Sequence, residues 1–124
     1  MRPADLTTVL RDYLAGWNAD DADTRHTHLG SAVYRDEIVY LDPHIDKPVG
    51  GLSELESHVA SFRSTHPHKL EAALPADSHN DVLRTRWRFK HPETDEVLSQ
   101  GILFADIGKD GRLTRVIHFE DARS

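Results

Sequence analysis

The sequence contains no cysteine, and this absence removes several kinds of chemistry at once. A chain without cysteine forms no disulfide bond, offers no thiolate nucleophile and holds no metal ion through sulfur. The side chains that remain for acid–base or nucleophilic chemistry include carboxylates, hydroxyls, lysines and nine histidines.

Long hydrophobic runs are missing as well. No stretch approaches the roughly 20 apolar residues that a transmembrane helix needs, and the first residues do not have the pattern of a signal peptide. We therefore expect a cytoplasmic protein with no membrane partner.

Positive charge is scarce, because 15 Lys and Arg stand against 21 Asp and Glu and the net charge is −6. Nucleic-acid binding depends on neutralising phosphates with Lys and Arg, so this balance argues against a nucleic-acid partner. A local exception is the alternating set Arg84, Arg86 and Arg88, which shares one face of a predicted strand. We interpret this set as a stripe that faces solvent or another subunit.

The order of helical and strand patterns predicts one α+β domain over residues 1–124. The first helix carries an apolar stripe at helical spacing: Leu6, Val9, Leu10, Tyr13, Leu14 and Trp17. A weaker second helix, a strand ending at Asp42 and a third helix with a capping box at Ser53 follow. Four strands are then predicted at about 68–77, 82–90, 97–107 and 112–119. We expect the helices to pack on one face of a mostly antiparallel sheet.

The strand that ends at Asp42 is the first place to look for chemistry. Ile38, Tyr40 and Asp42 alternate onto one face, and Pro43 then ends the strand. An ionisable side chain in line with two large apolar ones is costly unless it is paired, hydrated or used. A strand-end aspartate that bonds its own following loop is the alternative interpretation.

The ordered set of short motifs resembles the SnoaL-like branch of the nuclear-transport-factor-2-like superfamily. The motifs are Tyr13-Leu14-Ala15-Gly16-Trp17-Asn18, Asp42-Pro43, Gly50-Gly51, Phe62 with Pro67, Trp87, Gly101-Ile102-Leu103-Phe104 and Asp110 to Val116. The resemblance implies a cone in which three helices pack on a curved, mostly antiparallel sheet and enclose a pocket. It further implies homodimers across the outer face of the sheet. The aromatic side chains suit a small apolar or aromatic ligand, and no cofactor is expected, because the sequence has no Gly-rich phosphate loop. Because the superfamily contains both enzymes and binding domains, fold alone does not decide function.

The same resemblance suggests three catalytic residues. Compared with ketosteroid isomerase, Asp42 corresponds to the general base and Tyr13 to the tyrosine that stabilises the oxyanion. The acid that the isomerases carry two residues after a strand glycine is replaced by Leu103, which argues against ketosteroid-type isomerisation. His118 is the third candidate, because a neutral imidazole can act as acid or base near neutral pH.

Six further residues are predicted to contact the ligand: Trp17, Tyr40, Phe62, His79, Trp87 and Leu103. No metal site is predicted, because the pairs His26/His28 and His66/His68 lack the i, i+4 spacing of a helical zinc site. Most other histidines, among them His44 and His58, are expected at the surface.

Three functions stay open from the sequence. The first is a cofactor-independent isomerase, cyclase, dehydratase or epoxide hydrolase in which Asp42 removes a proton or activates water. The second is a non-catalytic module that binds a ligand or dimerises, and the third is a protein-interaction domain with an exposed apolar patch.

Overall fold

The computed structural model describes residues 5–122, which form three helices and a seven-stranded sheet. The helices are α1 (Leu6–Asn18), α2 (Ala22–Ala32) and α3 (Leu52–Thr65). The strands are β1 (Val39–Leu41), β2 (Val49–Gly50), β3 (Lys69–Ala72), β4 (Asp77–His79), β5 (Val82–Lys90), β6 (Val97–Ile107) and β7 (Leu113–Glu120). The predicted α+β class, with three helices against a curved sheet, is confirmed.

The sheet is mixed and open. Its strand order is β2-β1-β7-β6-β5-β3, with β4 pairing separately with β5. Strands β1 and β7 run parallel, and every other pairing is antiparallel. Irregular register between Phe89 and Lys90, and again between Asp106 and Ile107, adds to the bending of the long strands.

Two local predictions need correction. The segment predicted as one strand at 68–77 is divided into β3 and β4, which pair with different parts of β5. The capping box at Ser53 is also wrong, since α3 begins at Leu52 with Gly51 as its N-cap, two residues before Ser53, and has no side-chain cap. Gly51 has φ of +85°, a backbone conformation that glycine adopts without the steric cost of a Cβ.

The core lies between the helices and the concave face of the sheet. The predicted stripe of α1 buries Val9, Leu10, Tyr13 and Trp17, while Asp5 caps the helix by accepting from the backbone N–H of Thr7 and Thr8. Gly16 lets α1 approach α2 closely, because a Cβ built there lies 2.5 Å from Leu29 Cδ2. Along β5 the side chains alternate, with Leu83, Thr85, Trp87 and Phe89 facing inward.

The outer face of the sheet is partly apolar and partly charged. Exposed hydrophobic side chains there include Phe104 and Phe119, whose rings meet edge to face at 5.8 Å. Of the arginine stripe, Arg84 pairs with Asp77 at 3.2 Å and Arg86 with Asp121 at 2.6 Å. Between residues 5 and 122, none of the helices is long and apolar enough to cross a bilayer.

Candidate ligand-binding and catalytic site

A cavity of about 570 Å³ opens beside the helices, a volume within the range of small-molecule sites. Its apolar walls come from α1, β1, α3 and β5, and are mainly aromatic: Trp17, Tyr40, Phe62, Trp87 and Phe89. Its polar walls come from Asp42 and His44 after β1, from α3, and from the end of β7. Aromatic surface with few polar groups suits a small and mainly apolar ligand.

Asp42 is the most strongly hydrogen-bonded carboxylate of this cavity. Its Oδ2 accepts from the Tyr40 hydroxyl at 2.7 Å and lies 3.4 Å from His58 Nε2, while its Oδ1 accepts from the His44 backbone N–H at 2.7 Å. Partial burial alone would raise the pKa of Asp42, but the bonds from His58, Tyr40 and the His44 amide outweigh it and hold that pKa well below its usual range. Asp42 is therefore an anion at neutral pH.

His58 was expected at the surface, and this expectation is wrong. Its side chain is only 23% exposed and lines the cavity beside Asp42 and Tyr40, whose ring centroid lies 5.1 Å from the imidazole. The signal for this placement was present in the sequence, because His58 precedes Phe62 by four residues and so shares its face of α3. His44 also lines the cavity, where it pairs with Glu120 at 2.9 Å.

His118 lines the same cavity as Asp42, and its side chain is almost fully buried. Its Nε2 is 2.9 Å from the hydroxyl of Tyr13, which comes from α1. Burial lowers the pKa of His118 to about 4, and burial likewise raises the pKa of Tyr13 far above its usual value. Both side chains are therefore uncharged at neutral pH.

Aromatic contacts hold these groups in place. The Trp17 ring contacts those of Tyr40, Phe62 and His118 at centroid distances between 5.7 and 5.9 Å. The Trp87 ring lies 5.4 Å from His118, and its Nε1 donates to the Phe119 carbonyl at 3.0 Å. The wall around His118 is thus built from side chains with few alternative rotamers.

The fold can be compared with known proteins. No protein-family model and no curated protein matches the sequence. A candidate isomerase of the SnoaL-like family from Agrobacterium tumefaciens superposes with a TM-score of 0.81 at 25% identity, over 94% of this chain and 97% of that one. The chain therefore has the fold of the SnoaL-like proteins of the nuclear-transport-factor-2-like superfamily.

Two other structures are similar in fold. A candidate SnoaL-like polyketide cyclase from Jannaschia has a TM-score of 0.71 at 16% identity, over 94% of this chain and 84% of that one. A protein from Catenulispora acidiphila with a ketosteroid isomerase-like fold was solved in complex with trimethylamine. It has a TM-score of 0.67 at 9% identity, over 92% of this chain and 84% of that one. At these identities the likeness concerns the fold alone.

The fold brings six of the nine predicted site residues to the cavity: Trp17, Tyr40, Asp42, Phe62, Trp87 and His118. Tyr13 does not line the cavity, because its side chain is fully buried and its hydroxyl is hydrogen-bonded to His118. Leu103 is also fully buried and lies directly across the β6–β7 ladder from His118. His79 is exposed on β4, where it pairs with Val82, and does not reach the cavity.

The histidines do not form a metal centre in the part of the chain that the structure describes. Among residues 5–122 no three His, Asp or Glu side chains converge in a way that could hold an ion. His26 instead bonds Glu56 and His28 bonds Asp12, while the rings of His66 and His68 stand 5.4 Å apart.

Proposed function

We propose that this SnoaL-like protein binds a small, mainly apolar molecule in its aromatic cavity, and that Asp42 acts there as a general base. The reaction class is proton abstraction or water activation, as in cofactor-independent isomerases, cyclases, dehydratases and epoxide hydrolases. The observation that carries the proposal is that Asp42 and His118 line one cavity whose other walls are aromatic.

In the abstraction, Asp42 removes a proton from a carbon next to a carbonyl group. The C–H bond breaks, an O–H bond forms on Asp42, and the electron pair moves onto the carbonyl oxygen. Return of the proton to a carbon of the same ligand completes an isomerisation or an exchange. No cofactor takes part in this step. Asp42 is ionised at neutral pH, which is the state that a base requires.

The structural relatives support the same reaction class without fixing the substrate. One is described as a candidate isomerase and another as a candidate polyketide cyclase, and removal of a proton beside a carbonyl is a step by which either type of reaction can begin. A third relative was solved in complex with a small molecule, trimethylamine.

A second candidate function is ligand binding without catalysis. Three hydrogen-bond partners stabilise the Asp42 anion, and a carboxylate with so low a pKa is a weak base. Leu103 stands where the isomerases carry an acid, so this position has no acid to stabilise negative charge that develops on the ligand. These two observations favour a binding module over an efficient enzyme.

Hydrogen–deuterium exchange of 2-tetralone in D₂O separates the two functions. This ketone is small and aromatic, and its C1 hydrogens lie beside the carbonyl. We expect the wild-type protein to accelerate their exchange above the buffer rate, as followed by proton NMR, and Asp42→Asn to abolish the acceleration while keeping affinity for the ketone. Asp46→Asn is the matched control, because Asp46 is an exposed acid of the same loop.

The outcomes assign the function directly. Acceleration that survives in Asp42→Asn would remove Asp42 from the role of base. Binding with no exchange above the buffer rate in either protein selects the non-catalytic module. If the ketone does not bind at all, the result contradicts both the catalytic function and the binding function.

We also propose that the protein forms a homodimer through the outer face of its sheet. Phe104 and Phe119 are 40% and 53% exposed there, next to the arginine stripe and its acidic partners. An apolar centre with both signs of charge around it is suited to self-association.

A further inference from the structure

We propose that Tyr13 is a positioning residue that holds His118 in the Nδ1–H tautomer, so that His118 donates a hydrogen bond to an acceptor oxygen of the ligand. The ligand is then a carbonyl compound or another oxygen acceptor rather than a hydrocarbon. This inference rests on the proposed function in one respect only, which is that the cavity binds a ligand.

In the hydrogen bond between Tyr13 and His118, only one arrangement of protons gives the hydroxyl hydrogen of Tyr13 an acceptor. Both groups are buried and uncharged, so one proton lies between the hydroxyl oxygen and Nε2, which are 2.9 Å apart. If Nε2 carried that proton, the hydroxyl hydrogen of Tyr13 would need a different acceptor. Among residues 5–122 the hydroxyl of Tyr13 bonds no other acceptor, and the neighbouring Trp17 indole is a donor only.

Tyr13 therefore donates to Nε2, and the ring proton of His118 must be on Nδ1. An unpaired hydroxyl hydrogen in a dry core is costly, and this cost selects the tautomer. Tyr13 acts on the ligand through His118 and does not touch it.

The Nδ1–H group of His118 is therefore available to donate a hydrogen bond to a ligand in the cavity. Within the described part of the chain, Nδ1 makes no hydrogen bond, although the ring lines the cavity wall. Two neighbouring donors are already used, since the Tyr40 hydroxyl donates to Asp42 and Trp87 Nε1 donates to the Phe119 carbonyl. The Trp17 Nε1 atom has no partner among residues 5–122, but it is itself buried.

The position across the ladder from His118 is also informative. Leu103 faces the same side of the sheet as His118 and offers no polar group. His118 is thus the donor that this part of the wall presents to a ligand oxygen. A neutral imidazole also keeps its proton while it donates, because burial makes both ionised forms unfavourable.

Long-range proton–nitrogen NMR of the ligand-free protein tests the tautomer without any ligand. The two ring nitrogens of His118, assigned by comparison with His118→Gln, are expected to show a protonated Nδ1 and an unprotonated, hydrogen-bonded Nε2 at pH 7. Tyr13→Phe is expected to replace this single pattern by a mixture of tautomers. Tyr34→Phe, which removes a hydroxyl that bonds Asp110 instead, is expected to leave it unchanged.

Two results would overturn the tautomer assignment. One is a wild-type spectrum in which Nε2 carries the proton. The other is a Tyr13→Phe spectrum identical to that of the wild type, since His118 would then hold its tautomer without Tyr13.

A pair of probes tests the donor. 2-Tetralone and tetralin differ by one carbonyl oxygen, so the ratio of their dissociation constants isolates the hydrogen bond. We expect His118→Phe to weaken 2-tetralone binding by about 3- to 10-fold and to change tetralin binding by less than about twofold. Equal changes for both probes would refute the donor role while leaving ligand binding intact. If neither probe binds to the wild type, the carbonyl-ligand inference fails together with the cavity proposal, and the tautomer result still decides the role of Tyr13.

Discussion

Buried and neutral His118 should make the protein less stable as pH falls from 7 to 4. In the unfolded chain this histidine titrates near pH 6.5, whereas in the folded protein burial lowers its pKa to about 4. Between these two values the unfolded chain binds the proton and the folded protein does not. The free energy of unfolding must therefore decrease as pH falls through this window.

The magnitude follows from the two pKa values. Each pK unit is worth about 1.36 kcal/mol, so the contribution of His118 amounts to a loss of about 2 kcal/mol at pH 5 and about 3 kcal/mol at pH 4. A loss of this size is a large share of the 5–15 kcal/mol that typical domains have. Below about pH 4 the folded protein takes up the proton as well, and the contribution levels off.

Urea denaturation at a series of pH values measures this effect, with fluorescence of the two buried tryptophans as the signal. Other groups titrate in the same range. Hydrogen bonding to Glu120, for example, raises the pKa of His44 and acts with the opposite sign. The comparison of wild type with His118→Gln cancels these contributions, because they are common to both proteins.

We expect the stability of His118→Gln to fall less between pH 7 and 4 than that of the wild type, by about 3 kcal/mol. For His79→Gln, a substitution at an exposed histidine of β4, the plot of unfolding free energy against pH should run parallel to that of the wild type. Parallel curves for wild type and His118→Gln would refute the reasoning, as would an NMR titration of His118 near pH 6.5.

Three further predictions concern packing, the carboxylate and the outer face. Gly16→Ala should lower the free energy of unfolding by about 1–3 kcal/mol, because the new Cβ lies 2.5 Å from a side-chain carbon of α2. Gly30→Ala should not lower it, because the new Cβ lies 3.7 Å from the nearest side-chain carbon. Urea denaturation of both variants measures the difference. Tyr40→Phe should raise the pKa of Asp42 by removing a 2.7 Å hydrogen bond, as measured by carbon NMR of the carboxyl group, and an unchanged pKa would contradict the assigned cause. Phe119→Asp should convert the proposed dimer into a monomer in light scattering, whereas a wild-type monomer would count against the dimer.

Much of the fold could be predicted because its signals are local. The stripe of α1 marks the helix and its buried face, including Trp17, through a spacing that any helix must have. The strand ending at Asp42 and the turn at Asp110-Gly111 are likewise fixed by residues next to each other in sequence. These elements were therefore predicted correctly from pattern alone.

The candidate site was predicted less completely because its contacts join distant parts of the chain. Tyr13 and His118 are 105 residues apart, and strand alternation predicts which side His118 faces but not which group it meets. His58 was assigned to the surface, although its four-residue spacing to Phe62 puts both side chains on one face of α3. His79 was predicted as a ligand contact because a histidine near the end of a strand can act as acid or base, whereas all three residues of β4 are exposed.

A crystal structure of the complex with 2-tetralone tests the central claim most directly. The account predicts the ketone between Trp17 and Trp87 in the aromatic cavity, with its oxygen within hydrogen-bond distance of His118 Nδ1 and its C1 carbon facing the Asp42 carboxylate. A ketone bound elsewhere, or bound in the cavity with its oxygen directed away from His118, would contradict it.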